Sequence, residues 1–125
     1  MIVLIFGNPD LRLDNLPVRL LPKLRAARPD VEFVLLDPNE EWPSEHSLIV
    51  IDTVFGISEP RVFDDLESFQ GAPRFSGHDF DAYTNLRFLK KIGKLDQIKI
   101  FGLPNDLPEE AALAATLNFI RSISP

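Results

Sequence analysis

The chain has no cysteine among its 125 residues. Disulfides, thiolate metal sites and a cysteine nucleophile are therefore excluded. Histidine is nearly as scarce: His46 and His78 are the only two, so any imidazole chemistry falls to one of them. There are six glycines, and none belongs to the Gly-x-Ser-x-Gly elbow of a serine hydrolase. The segment "FGNPDLR" offers one glycine, a proline and an adjacent Asp10, a poor cradle for a phosphate. Long hydrophobic runs are missing too. The longest is the first six residues, far too short to span a membrane, and no basic segment precedes a signal-peptide core. The expectation is a cytoplasmic protein with no membrane partner. Basic charge is also short: 13 Lys and Arg face 19 Asp and Glu, a net charge of -6. That balance argues against a nucleic-acid partner, which calls for a basic face.

What remains is ordinary for a globular protein, with 45% hydrophobic and 26% charged residues, and the length fits a single domain over residues 1–125. Apolar runs alternate with helical patterns, the signature of a βαβ layer fold. Residues 2–6 (IVLIF), 31–36 (VEFVLL), 47–52 (SLIVID) and 97–102 (QIKIFG) read as strands. The first and third are apolar throughout, as strands buried on both faces are. Residues 16–28 read as a helix with Leu16, Leu20, Leu24 and Ala27 on one stripe. Pro17 suits its first turn, while Pro22 should kink or loosen it. Residues 78–92 carry Phe80, Tyr83, Leu86, Leu89 and Ile92 near helical spacing, and Gly93 ends the pattern. "RVFDDLESF" fits either a short edge strand or an irregular connection after Gly56 and Pro60. The last helix has Asp106 as its expected N-cap, Pro108 in the first turn, Glu109 completing a capping box, and a face of Leu113, Leu117 and Ile120. The fold expected is a three-layer αβα sandwich around a small, mainly parallel sheet.

In open α/β sheets, ligands bind beyond the carboxyl ends of the strands. That rule selects Asp14 after the first strand, Asp37 at the end of the second, Asp52 at the end of the third, and His78 at the start of a helix. The positive end of a helix disfavours imidazolium and keeps His78 neutral, the form a metal requires. Asp14, Asp52 and His78 together would make a nickel, zinc or manganese site with positions left for water or substrate. On position alone, an acid at a strand end is more often a turn former or cap, and a histidine at a helix start more often a surface residue or capping donor. His46, in the polar "NEEWPSEHS" stretch, reads as a surface residue.

The order of these parts resembles the hydrogenase maturation proteases, endopeptidases that trim the C-terminal extension from the nickel-loaded large subunit of [NiFe] hydrogenases. Gly7-Asn8, Asp14 six positions on, and Val18-Arg19 match the family's opening. Asp52 in "LIVIDTV" matches its strand-end acid, His78 in "SGHDFDAYTNLRFL" its helix-opening histidine, and "IKIFGLP" the strand and Gly-x-Pro that follow. Ile5 stands where the family has a first glycine, Pro17 where it has a later one, and "DPNEEWP" where a Gly-Thr-rich loop is usual. The likeness is thus to a short, divergent member.

The resemblance implies a metal site of Asp14, Asp52 and His78, supported by Gly7 and Asn8. It would take nickel supplied by the substrate, or a surrogate divalent metal. The implied partner is a hydrogenase large-subunit precursor or a related metalloprotein. Two other readings stay open: a non-proteolytic metal-binding or assembly factor of the same fold, and a small-molecule-binding α/β domain.

Overall fold

Strands apolar on both sides must be covered on both sides, and β-branched residues favour the pleated backbone. The computed structural model describes residues 1–7, 10, 15–36, 47–64 and 97–124. Its elements are β1 (Ile2–Ile5), α1 (Leu16–Ala27), β2 (Glu32–Leu35), β3 (Ser47–Val54), β4 (Arg61–Phe63), β5 (Gln97–Pro104) and α2 (Glu109–Ile123). The strands form one five-stranded sheet in the order β2-β1-β3-β5-β4. All neighbours are parallel except β4, which pairs antiparallel with β5. The fold is the expected α/β sandwich with a mainly parallel sheet. "RVF" is a short antiparallel edge strand, entered through a turn in which Gly56 has φ 86°, a left-handed conformation open to glycine.

Alternation along the strands builds two buried apolar clusters. One holds Leu4, Phe6, Val50, Val54, Phe63 and Ile100. The other holds Val3, Ile5, Ile51, Phe101 and Leu103 with the inner faces of α1 and α2. Both faces of the sheet are therefore buried, as a three-layer sandwich requires. The helix expected over 78–92 lies outside the described residues.

The two helices run side by side in the same direction. Near their starts, Arg19 Nη1 lies 3.2 Å from Glu109 Oε1 and Lys23 Nζ lies 3.7 Å from Glu109 Oε2. At their ends, Arg28 donates to the Ser124 carbonyl (2.9 Å) and to both carboxylate oxygens of Asp30. Helix α1 buries Leu16, Leu20 and Leu24 as expected, with Leu21 and Pro17 added, whereas Ala27 is exposed. It runs as one element through Pro22, whose ring sits on the solvent face. Arg25, also on α1, donates to the Phe33 carbonyl of β2 at 3.0 Å.

Helix α2 departs from its sequence reading in two ways. Asp106 is not the N-cap; Pro108 holds that position at φ -57°, ψ 143°, and no side chain caps the helix. Proline disfavours the helical region for the residue before it, so the helix cannot begin at Asp106, and the capping box does not form. Glu109 and Glu110 still place negative charge in the first turn, where the helix dipole favours it. The buried stripe is Ala112, Thr116, Phe119 and Ile120, with Leu113 and Leu117 only partly buried beside it. The helix is rotated so that Phe119 stacks on Phe101, with centroids 4.5 Å apart and planes 6° from parallel. Thr116 tolerates full burial because its hydroxyl donates to the Ala112 carbonyl at 2.7 Å.

Gly102 on β5 has a packing role. A Cβ there would stand 2.7 Å from Val54 Cγ2 and 3.1 Å from Phe63 Cε2. Gly102→Ala should therefore cost about 1–3 kcal/mol through overpacking, read as a lower urea midpoint at unchanged slope. Adding Val54→Ala should recover part of the loss from the glycine change. At the helix ends, the hydrogen bonds from Arg28 hold the Asp30 carboxyl down at about 2, against 3.8 ordinarily. Its stabilising contribution is present above the ordinary value and is lost as pH falls through about 2. An NMR titration should find that midpoint, and Arg28→Ala should return it toward 3.8.

Candidate functional site

In the order β2-β1-β3, the chain leaves β1 for β2 on one side and later returns to β3 on the other. That reversal is a topological switch point, and its crevice opens at the carboxyl ends of β1 and β3. Phe6 N–H donates to the Ile51 carbonyl at 3.0 Å, which carries the β1–β3 pairing one residue past β1. Gly7 follows, buried and at φ 156°, a region that side-chain-bearing residues rarely adopt.

Asp52 stands at this edge on β3. The sequence pattern ends the strand at this residue; the observed strand continues through Thr53 and Val54, because both pair with β5, at Leu103 and Pro104. Asp52 is thus inside the strand, opposite Gly102, and is fully buried. Alternation puts it on the same face as Val50 and Val54. Its Oδ1 accepts a 2.8 Å hydrogen bond from the Thr53 N–H. Asp52 lies inside a paired strand and not in a turn, so the turn-former role is removed for this acid. Burial of a carboxylate costs several kcal/mol unless it is paired, so a fully buried acid at this edge is a candidate functional group.

Gly7 and Asp52 are the two candidate site residues within the described part of the molecule, and they lie at the same edge, Gly7 just past β1 and Asp52 on the adjacent β3. Asn8, Asp14 and His78 lie outside the described residues, as do Asp37 and His46. Among the described residues, no three His, Asp or Glu side chains converge as a metal site would require. Asp52 itself suits the proposed donor set. It is an oxygen ligand of the kind divalent cations accept, and its orientation is held by a backbone donor, as ligating carboxylates commonly are.

Sequence reasoning did not single out Thr53. Its Oγ1 is the one buried side-chain oxygen without a hydrogen-bond partner among the described residues. The signal available was a hydroxyl following an acid within an apolar strand, which is thin. A cavity of about 440 Å³ lies at the opposite, amino edge of the sheet, lined by Ser47, Leu48, Ile98, Lys99 and Ile123. It is remote from Asp52. Among the described residues, no helix is long and apolar enough to cross a membrane.

The chain matches no family model and no curated protein sequence. Its likeness is to solved structures. It is similar to the [NiFe] hydrogenase maturation protease HybD from Thermococcus kodakarensis, with a TM-score of 0.70, 19% identity and 100% of both chains covered. It is similar to the hydrogenase maturating endopeptidase HybD from E. coli, with a TM-score of 0.68, 16% identity, and 98% of this chain and 93% of that one covered. An endopeptidase from Escherichia coli gives a TM-score of 0.67 at 19% identity, with 99% and 94% covered. The fold is thus that of the hydrogenase maturation endopeptidases along its whole length.

The Thr53 N–H that Asp52 engages is fully buried. Asp52→Ala should leave that donor unmet and cost about 1–3 kcal/mol. Asp52→Asn keeps an acceptor oxygen and should cost less. Chemical denaturation of the two variants beside wild type gives the comparison.

Proposed function

We propose that this chain is a divergent hydrogenase maturation protease, which recognises nickel in a [NiFe] hydrogenase large-subunit precursor and removes its C-terminal extension. A shared fold does not by itself imply a shared function. The observation that carries this reading is the buried carboxylate of Asp52 at the carboxyl edge of β3, beside the switch point of a sheet with that fold.

In this reading Asp14, Asp52 and His78 are the protein's ligands to nickel, which arrives with the precursor as part of the substrate. Bound nickel supplies Lewis acidity, polarising a carbonyl or acidifying water. The chain's own residues do the rest. Asp52 offers a charged oxygen already oriented by the Thr53 N–H, so little reorganisation accompanies binding. Its burial keeps bulk water from competing and strengthens its attraction for a cation. His78 provides a neutral nitrogen and Asp14 a second carboxylate, while Gly7 and Asn8, which precede Asp14 in the chain, support the site. Two carboxylates and one imidazole leave positions for groups of the precursor. Only a nickel-loaded precursor would then dock in register, and recognition of the metal would test the maturity of the substrate.

The test uses a nickel-loaded large-subunit precursor that retains its C-terminal extension, incubated with the purified protein and followed by mass spectrometry. The expected result is a precursor shortened by one C-terminal segment, with the rate lowered roughly a hundredfold or more by Asp52→Asn, Asp14→Asn or His78→Ala. An intact precursor that nevertheless forms a nickel-dependent complex with the protein would replace the proteolytic reading with that of an assembly factor.

A further inference from the structure

Strand β5 is an inner strand, flanked by β3 and β4, yet it carries a lysine. Lys99 shares a face with Phe101 and Leu103, which are buried with the inner sides of α1 and α2. The lengths of the elements explain the exception. Strands β3 and β5 have eight residues each and reach about 26 Å. Helix α2 has fifteen and reaches about 22 Å. The Leu107 N–H donates to the Pro104 carbonyl in the turn that follows β5, so α2 starts at the carboxyl edge and runs back toward the amino edge. Phe119 stacks on Phe101. One helical turn later, about 6 Å on, Ile123 reaches the level of Lys99. The helix ends there, short of Ser47 and Gln97, which are exposed.

The strands thus outrun the helix, and the gap is the cavity of about 440 Å³ at the amino edge. Its floor is the paired start of β3 and β5. Ile49, Ile98 and Ile123 make it apolar, and Lys99 and Asp64 are the charged residues of its lining. This volume, and an apolar wall with a few polar groups, are those of a small-molecule pocket.

The two charges are not equivalent. Lys99 Nζ lies 3.6 Å from Asp64 Oδ1, too far for a hydrogen bond. The Asp64 side chain is 74% exposed and the Lys99 side chain 44%. An exposed pair of this kind contributes little, so another anion readily takes the place of Asp64. A carboxylate carried on an apolar body loses water as the body seats, and its attraction to Lys99 then exceeds that of the solvated Asp64. A cationic ligand has only Asp64 to meet, most of it in water.

We propose that this cavity binds a small organic carboxylate. The apolar body lies against Ile49, Ile98 and Ile123, and the acid group pairs with Lys99 in place of Asp64. The site is at the opposite edge of the sheet from Asp52 and stands independently of the nickel reading.

The test uses octanoate as the probe, with octylammonium and octanamide as its cationic and neutral counterparts. Each is titrated into the full chain without metal and followed by amide NMR shifts. Octanoate should give saturable shifts centred on Ser47, Ile49, Lys99 and Ile123, and bind roughly tenfold more tightly than either counterpart. Lys99→Met keeps the apolar stem and should lower octanoate affinity to that of octanamide. Asp64→Asn removes the competing anion and should raise octanoate affinity. Octylammonium that binds as tightly as octanoate, octanoate affinity unchanged in Lys99→Met, or shifts that are absent, unsaturable or centred elsewhere overturn the proposal.

Discussion

The parallel pairing of β3 with β5, eight residues long from Ser47↔Gln97 to Val54↔Pro104, is the constraint from which the rest of the molecule follows. It carries β3 past the point where β1 ends, so that Asp52 and Thr53 lie within a paired strand, walled on one side by β5. Gly102 lies directly across from Asp52. The absence of a side chain there lets Val54 and Phe63 close over the backbone. Were the pairing two residues shorter, Asp52 would occupy a solvated turn and its carboxylate would be an ordinary surface charge.

Much of this architecture is legible in the sequence. The runs IVLI and LIVI are continuous and apolar because each is buried on both faces, and that pattern points to both strand and parallel sheet, while QIKIF reads as a strand despite Lys99. The ends of the long strands are not legible. Thr53 and Val54 belong to β3 only because Leu103 and Pro104 are there to pair with them, a property of two distant segments together. The start of α2 escapes the sequence because two local signals compete. Asp106 with Glu109 looks like a capping box, and the restriction that Pro108 places on Leu107 wins. Its buried stripe escapes because stacking of Phe119 on Phe101 sets the rotation of the helix, and periodicity counts leucines without knowing where a ring will land. For the site, the rule of carboxyl ends and switch points selects Asp52 from its place at the end of an apolar run, and burial then separates it from a turn former. Thr53 carries no such mark, because an unsatisfied hydroxyl is a property of the packed surroundings and not of the local chain.

The carboxyl edge thus runs against the logic of the rest of the fold. Elsewhere the described core is largely apolar, and the partly exposed ion pairs between α1 and α2 are of a kind that contributes little individually. A buried acid and a hydroxyl without a partner among the described residues stand on β3, and a glycine at φ 156° stands just past the adjacent β1. The hydroxyl and the glycine conformation are each disfavoured by stability considered alone. Such local conflicts with the folding pattern are expected where a protein binds or reacts, and they mark this edge in a chain whose likeness to known endopeptidases is one of fold.

The bond from Arg25 to the Phe33 carbonyl bears on how the protein behaves in a crowd. Strand β2 ends the sheet. Glu32 N–H and Leu36 N–H point inward to β1, so the Phe33 carbonyl points outward, toward the flank where a strand of another molecule would add. A guanidinium occupying that acceptor breaks the row of groups such a strand needs, and it places a positive charge in its path. Among the described residues, this flank of the sheet is thus shielded from strand addition by a residue of the helix beside it.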